Sequence, residues 1–289
     1  RRDGVEPDKS SWNSKLGEGS AVLFSAGKVF ERAGINISRI AADSLPAAAS
    51  SARPELAGRP YHACGMSLIA HPRNPYAPTV HLNVRHFSTT DGQTWWFGGG
   101  MDLTPCYGFD DDCRHFHRLC RQSVEGYGKD LYRDFKLRCD EYFRLPHRNN
   151  EQRGIGGIFF DDYDAGGDHD AAGKLARSVV EHFSEAYLPI IDRRTDTPYG
   201  ERERNFQLYR RGRYVEFNLP RARGTLIGMQ PGRHAAMQSW CRCRRWRPGL
   251  RIRRLKPAAS RIILPASIWL RATGFEHCRG SCRAGGKMI

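Results

Sequence analysis

The chain has 289 residues, of which 39% are hydrophobic and 11% aromatic, so it can bury a core and wholesale disorder is excluded. No run reaches the length of a membrane span, and we therefore expect a soluble protein. The formal charge of +15 is concentrated in residues 231–289, which hold 14 Lys and Arg side chains against one Glu, whereas residues 1–230 carry only +2. This nearly neutral body argues against a nucleic-acid partner.

In chain order, the first 20 residues are polar and glycine-rich and predict a loose entry segment, and residues 44–60 predict a long surface loop. Runs rich in β-branched and aromatic residues predict strands at 63–70, 79–87, 95–97, 155–160, 206–210 and 214–219. Arg211 and Gly212 separate the last two runs and predict a tight hairpin turn between them.

The sequence also predicts two helices. One begins at the acidic residues 110–112, is interrupted near residues 126–128, and ends before Pro146. The other has apolar residues at four-residue spacing over 175–187 and ends before Pro189. Hairpin-like strands with helices between them predict a mixed α+β domain around a largely antiparallel sheet.

The run 78–87 is the most informative for function. If it is a strand, alternation gives one apolar face and one polar face, the polar one formed by His81, Asn83 and Arg85. Side chains spaced about 7 Å apart along such a face would suit an anionic substrate. The same alternation also fits an ordinary half-buried strand with a solvated polar face, and the pattern alone leaves both interpretations open.

Further candidates lie on either side of this run. A proline-rich link after residue 71 would bring Ser67 and His71 near His81 if their strands pair. Downstream, two tryptophans and three glycines precede Asp102. A carboxylate beside aromatic rings is predicted to have a raised pKa and to act as an acid, a base or a hydrogen-bond partner, unless Asp102 is simply a turn residue.

The sequence predicts no organic cofactor. The glycines of 153–157 precede an apolar run instead of joining a strand to a helix, so they do not form a dinucleotide loop, and phosphate-binding and nucleophile-elbow motifs are absent. A metal site is conceivable because several histidines are present, but no compact ligand motif joins them. These histidines are His71, His81, His115, His117 and His147.

Taken together, these runs resemble the oxygen-dependent coproporphyrinogen III oxidases. The similarity extends in one register from about residue 12 to 230. It is carried by the motifs at 29–36, 53–58, 71–76, 81–85, 95–105, 153–157 and 201–218. The resemblance implies a large antiparallel sheet flanked by helices on both faces, and a homodimer. It also implies a reaction of heme biosynthesis in which molecular oxygen converts two propionates of coproporphyrinogen III to vinyl groups, giving protoporphyrinogen IX, CO2 and hydrogen peroxide.

The resemblance also assigns roles to residues. It implies that His81 is a proton donor and that Asp102 and Arg153 line the pocket, and we expect Asp102 to hydrogen-bond or deprotonate a pyrrole nitrogen and Arg85 to orient a propionate. Substrate contacts are implied at Ser67, Asn83, Val84, Arg85, Arg153, Gly232 and Arg233. A divalent metal, such as manganese, is implied at His71, His81, His117 and His147.

The chain departs from the family pattern at both ends. A helix that usually precedes Trp12 is missing, and after Gln230 the sequence becomes rich in Arg and Cys. The family run Met-Ser-Leu-Pro-Pro-Leu, read one base late, can give the Cys-Arg-Cys-Arg-Arg-Trp found at 241–246. We therefore interpret residues 1–230 as the oxidase domain and residues 231–289 as an out-of-frame tail. An inactive remnant or a non-catalytic porphyrin binder is the alternative function.

The compartment is predicted from the cysteines. The five in the body are scattered without paired spacing, as is typical of reduced thiols in a cytoplasmic protein, while a mitochondrial location is the alternative if the source is eukaryotic.

Overall fold

The computed structural model describes residues 3–45, 53–146 and 149–218. The strands are β1 (Asp8–Ser14), β2 (Gly17–Ser25), β3 (Phe30–Ala42), β4 (Tyr61–Pro72), β5 (Thr79–Thr89), β6 (Trp95–Thr104), β7 (Arg144–Leu145), β8 (Glu151–Gln152) and β9 (Gly156–Tyr163). The helices are α1 (Asp110–Val124), α2 (Leu131–Tyr142), α3 (His169–Arg194) and α4 (Glu201–Asn218). Short 3₁₀ turns lie at Pro54–Leu56 and Ala165–Gly167.

Seven strands form one antiparallel sheet in the order β1-β2-β3-β4-β5-β6-β9. Each strand through β6 pairs with the next along the chain, and β9 joins β6 after α1 and α2 have intervened. The strands β7 and β8 make a separate small hairpin. The predicted α+β fold around a large antiparallel sheet is confirmed.

The two faces of the sheet differ in what covers them. On β5, Val80, Leu82 and Val84 are at most 1% exposed and belong to the main core, which α1 and α3 complete. The alternate residues of β5 and its neighbours form the opposite face, which we call the site face. At one end of the site face, α4 and the end of α2 provide aromatic side chains such as Tyr214 and Phe143, so helices flank the sheet on both sides.

The polar start of the chain is not a loose segment, contrary to the sequence prediction. It forms β1 and β2, which pair through a tight turn and add two strands to the sheet. Almost every residue of β1 is exposed on both faces, so this edge strand has no hydrophobic alternation for sequence reasoning to detect.

The predicted hairpin over 206–219 is also wrong, because these residues lie in α4, and residue 219 falls outside the described ranges. The buried residues of α4 are Gln207, Tyr214 and Phe217, whose spacing of seven and three places them on one side of a helix. In a hairpin the same residues would point in different directions. Several aromatic and β-branched residues suggested strands, but the burial pattern follows the helical period.

Both predicted helical regions are present. The first, with its predicted interruption, corresponds to α1 and α2, which are separated by residues 125–130, and the second corresponds to α3. However, α3 continues through Pro189 to Arg194. Proline has no N–H to donate to the carbonyl of Glu185, and that carbonyl accepts a hydrogen bond from His115 Nε2 at 2.9 Å instead. Buried Ile190 and Ile191 hold the remaining turn against the core. None of the described helices is both long and apolar enough to cross a membrane.

Candidate active site

Glycines line the centre of the site face. In the strand register, Asn83 lies between Ser67 and Gly100, and Arg85 lies between Gly65 and Gly98. Ser67, Asn83 and Arg85 are partly exposed. Because the neighbouring positions carry little or no side chain, the polar groups of β5 stand above a nearly bare backbone surface, which suits the approach of a broad, flat ligand.

His81 and Asp102 are direct cross-strand neighbours on β5 and β6. Nδ1 of His81 lies 2.9 Å from Oδ1 of Asp102. An ionised carboxylate only accepts hydrogen bonds, so this contact fixes the proton of His81 on Nδ1 and leaves Nε2 as its exchangeable position. The His81 side chain is 22% exposed, whereas that of Asp102 is 4% exposed.

Arg153 occupies the other side of Asp102. Its Nη2 donates to Oδ2 of Asp102 at 2.5 Å, and its side chain is only 2% exposed. The guanidinium carbon lies 3.7 Å from the ring centre of Phe143, 4.5 Å from that of Tyr214 and 4.9 Å from that of Phe217. The buried cation is therefore held by one carboxylate and three aromatic faces.

These neighbours overturn the expectation of a raised pKa for Asp102. Burial alone would raise its pKa, but the charge of Arg153 and the hydrogen bonds from His81 and Arg153 outweigh burial and lower it. Asp102 is therefore a carboxylate with both oxygens engaged. This arrangement indicates that Asp102 orients His81. Because both of its oxygens are already hydrogen-bonded, it does not favour Asp102 as the group that takes a proton from a ligand.

Arg85 forms the second charged centre of the site face. Its Nη1 donates to Oδ1 of Asn83 at 2.6 Å, and its Nη2 lies 2.9 Å from Oδ1 of Asp161 on β9. The guanidinium carbon is 5.8 Å from the ring centre of Phe159. With 36% of its side chain exposed, Arg85 is a cation on this face that an acid group of a ligand can reach from solvent.

A model of the coproporphyrinogen III oxidase family matches residues 3–247 of the chain. The chain belongs to this family. Membership implies a porphyrinogen substrate, whose acid arms and flat outline agree with the exposed arginine and the bare floor of the site face. The matched range extends past Gln230, so the boundary between oxidase domain and tail stays a prediction.

One implied substrate contact of this oxidase-family chain cannot be made by its side chain. Val84 is fully buried in the main core, on the face opposite Asn83 and Arg85. Period-two alternation requires this, because Val84 lies between two residues that face the site. Only the backbone of Val84 is available to a ligand on the site face. Gly232 and Arg233 lie outside the described residues.

The histidines implied as metal ligands do not come together in the described part of the chain. No group of three or more His, Cys, Asp or Glu side chains able to hold a metal ion occurs there, and His147 lies outside it. Both nitrogens of His117 are engaged, by the carbonyl of Ile155 and the hydroxyl of Tyr132, each at 3.1 Å. His71 is buried with its Nδ1 3.1 Å from Oγ1 of Thr79. The described residues therefore do not fit the expected metal site.

Sequence reasoning missed the residues that support the two charged centres. Asp161, which pairs with Arg85, and Phe143, Tyr214 and Phe217, which surround Arg153, were not predicted. A signal for Asp161 was present, since it continues the alternation of the strand run 155–160. The aromatic residues come from separate elements and gave no such signal.

Proposed function

We propose that the chain catalyses the oxygen-dependent oxidative decarboxylation of coproporphyrinogen III to protoporphyrinogen IX. Each of the two reacting propionate arms loses CO2 and two hydrogens to become a vinyl group, while dioxygen accepts two electrons and two protons to become hydrogen peroxide. Two such rounds consume two molecules of oxygen. The electron-rich porphyrinogen supplies the electrons itself, so the proposed reaction needs no organic cofactor.

The observation that carries this proposal is the chain of contacts Arg153–Asp102–His81 beside the glycines of β4 and β6. Arg153 keeps Asp102 ionised, Asp102 holds the Nδ1 proton of His81, and Nε2 of His81 is then available to exchange a proton with the porphyrinogen. We assign the proton transfer to His81, with Asp102 and Arg153 as positioning residues.

Arg85 supplies the second element that the reaction needs. Oxidative decarboxylation requires the reacting propionate to be held in a fixed orientation, and an arginine can grip a carboxylate through two parallel hydrogen bonds. Arg85 is partly exposed and lies four residues after His81 on β5, so that both side chains are on the same face of the sheet. An acid arm bound by Arg85 therefore leaves the ring of the porphyrinogen over the glycines and near His81.

The test is to incubate the chain with coproporphyrinogen III in air and under argon, and to measure CO2 release and protoporphyrinogen. We expect turnover that stops without oxygen, and a fall of about 10²–10⁴-fold in kcat for His81→Gln with a small change in KM. The matched control is His62→Gln, since His62 is exposed on the neighbouring strand β4 and should leave turnover unchanged. No CO2 from the chain in air, or equal activity of His81→Gln and the unmodified chain, would reject the proposal.

The alternative is a non-catalytic porphyrin binder or inactive remnant, which the Arg- and Cys-rich sequence after Gln230 favours. A chain that binds the oxidised porphyrin but releases no CO2 would identify the binder, and a chain that does neither would identify the remnant. The resemblance further implies a homodimer, which light scattering on the purified chain would test.

A further inference from the structure

Asp161 is placed beside Arg85 by an irregularity in the sheet. The pairing of β6 with β9 shifts between Phe97 and Gly99, so Asp161 and Asp162 together lie opposite Gly98. The extra residue of the bulge is accommodated at Asp162, whose backbone has a φ of 53°. Such bulges are typical of positions where a strand redirects a side chain next to an active site.

The ion pair of Arg85 and Asp161 lies across the backbone of Gly98. A Cβ on Gly98 would be 2.8 Å from Cζ and Nε of Arg85 and 2.8 Å from Oδ1 of Asp161. The side chain of Arg85 therefore starts on β5, passes over β6 and meets a carboxylate of β9. This path exists only because position 98 has no side chain.

Each of the two arginines described above has a carboxylate partner on the site face. Arg153 is paired with Asp102 and Arg85 with Asp161. The first pair is buried, but in the second both side chains are partly exposed, 36% for Arg85 and 21% for Asp161. An acid arm that approaches Arg85 therefore also meets the negative charge of Asp161, which is already paired with the same guanidinium.

We infer that Asp161 is a positioning residue that orients Arg85 and limits the affinity of the site for carboxylate arms. This inference rests on the proposed function. Asp161 holds the guanidinium across Gly98 while offsetting part of its charge. The result is a site that grips an acid arm without binding it so tightly that substrate and product are retained, since uniform tight binding does not raise the rate of turnover.

The test compares two neighbouring aspartates by the same substitution. Asp161→Asn removes the charge and keeps an oxygen that accepts from Arg85, while Asp162→Asn removes the charge of the adjacent residue, which pairs with Arg53 instead. Asparagine also tolerates the left-handed backbone of position 162. The probe is coproporphyrin III, the oxidised tetracarboxylate that cannot react, titrated by fluorescence.

For Asp161→Asn we expect the Kd of coproporphyrin III to fall by about threefold to tenfold at low salt, because a like charge beside the acid arm is removed. The gain should shrink to less than about twofold in 0.5 M NaCl, since ions screen a partly exposed charge, whereas a change in packing would persist. Asp162→Asn should change the Kd by less than about twofold at either salt concentration.

An unchanged or higher Kd for Asp161→Asn, or an equal effect of Asp162→Asn, would overturn the inference while leaving the proposed function intact. If the unmodified chain itself does not bind coproporphyrin III, this inference fails, whereas the proposed function is decided separately by CO2 release from coproporphyrinogen III.

Discussion

The site face carries two carboxylate–guanidinium pairs that differ in burial. Arg153 and Asp102 are 2% and 4% exposed, and aromatic rings surround the cation. Arg85 and Asp161 are 36% and 21% exposed and lie across a bare glycine. A buried pair is a fixed part of the structure, because loss of either partner leaves the other as a buried charge with neither a counter-charge nor water around it. An exposed pair contributes little to stability and can exchange partners. The same chemistry therefore serves positioning at one end of the site and ligand exchange at the other.

The largest expected effect breaks the buried pair. Asp102→Ala should lower the free energy of unfolding by about 3–5 kcal/mol, since Arg153 would remain buried without its counter-charge. Asp161→Ala, the matched change in the exposed pair, should cost less than about 1 kcal/mol. Urea denaturation at neutral pH measures both values, and equal losses would contradict the difference in role.

A second comparison uses the glycines beside each pair. Gly157 pairs with Asp102 across the strands, and a Cβ there would overlap the backbone carbonyl oxygen of Met101. Gly157→Ala should therefore destabilise the fold by about 1–3 kcal/mol, because two strands must move apart. Gly98→Ala meets the movable ends of two side chains instead, so it should cost less than about 1 kcal/mol while displacing Arg85 and raising the Kd of coproporphyrin III. Thermal unfolding and porphyrin titration of both variants would separate the two effects, and similar melting temperatures would argue against this distinction.

The smallest expected effect is a dependence of stability on pH at the buried end. Burial, together with the charge of nearby Arg211, lowers the pKa of His71 to about 3 from 6.5. Below pH 6.5 the unfolded chain therefore binds a proton at His71 that the folded chain does not. The free energy of unfolding decreases for this reason as the pH is lowered from 6.5 to about 3, and His71 has no effect on it above pH 6.5.

Between pH 6.5 and 5 the loss due to His71 should be about 1–2 kcal/mol. His71→Gln should reduce the slope without abolishing it, because buried His86, whose pKa is also lowered to about 3, remains. The control His62→Gln changes an exposed histidine and should keep most of the slope, because His62 is the smallest of the three causes that lower the pKa of His86. Identical slopes for His71→Gln and the control would show that His71 is not the group responsible.

Much of the site was predictable where one strand supplies it. Alternation along β5 correctly separated His81, Asn83 and Arg85 from the apolar core positions. The predicted strand at 95–97, however, continues to Thr104, because glycines lower strand propensity in a sequence but allow close packing once neighbouring strands are in place. The contact of His81 with Asp102 therefore needed the register of two strands, which no local pattern specifies.

Helix α4 is a second case in which the local sequence was not sufficient, and here it led to the wrong type of secondary structure. The local prediction was a hairpin, because five residues of α4 are aromatic or β-branched, although most of the others are good helix formers. Buried Gln207 donates to the carbonyls of Pro72 and Asn74, and Tyr214 packs against Arg153, so tertiary contacts decide the helical conformation. These contacts add to the helix propensity of the Glu, Arg, Gln and Leu residues of α4.

By itself the sequence determined the mixed fold, the polar face of β5 and the resemblance to the oxidase family, because each depends on residues close together in the chain. The tertiary structure alone decided that Asp102 is ionised and engaged, that Arg153 is enclosed by aromatic rings, and that Asp161 pairs with Arg85. A charge state depends on the neighbours within a few ångströms and on the access of water, and these neighbours come from strands and helices far apart in the sequence.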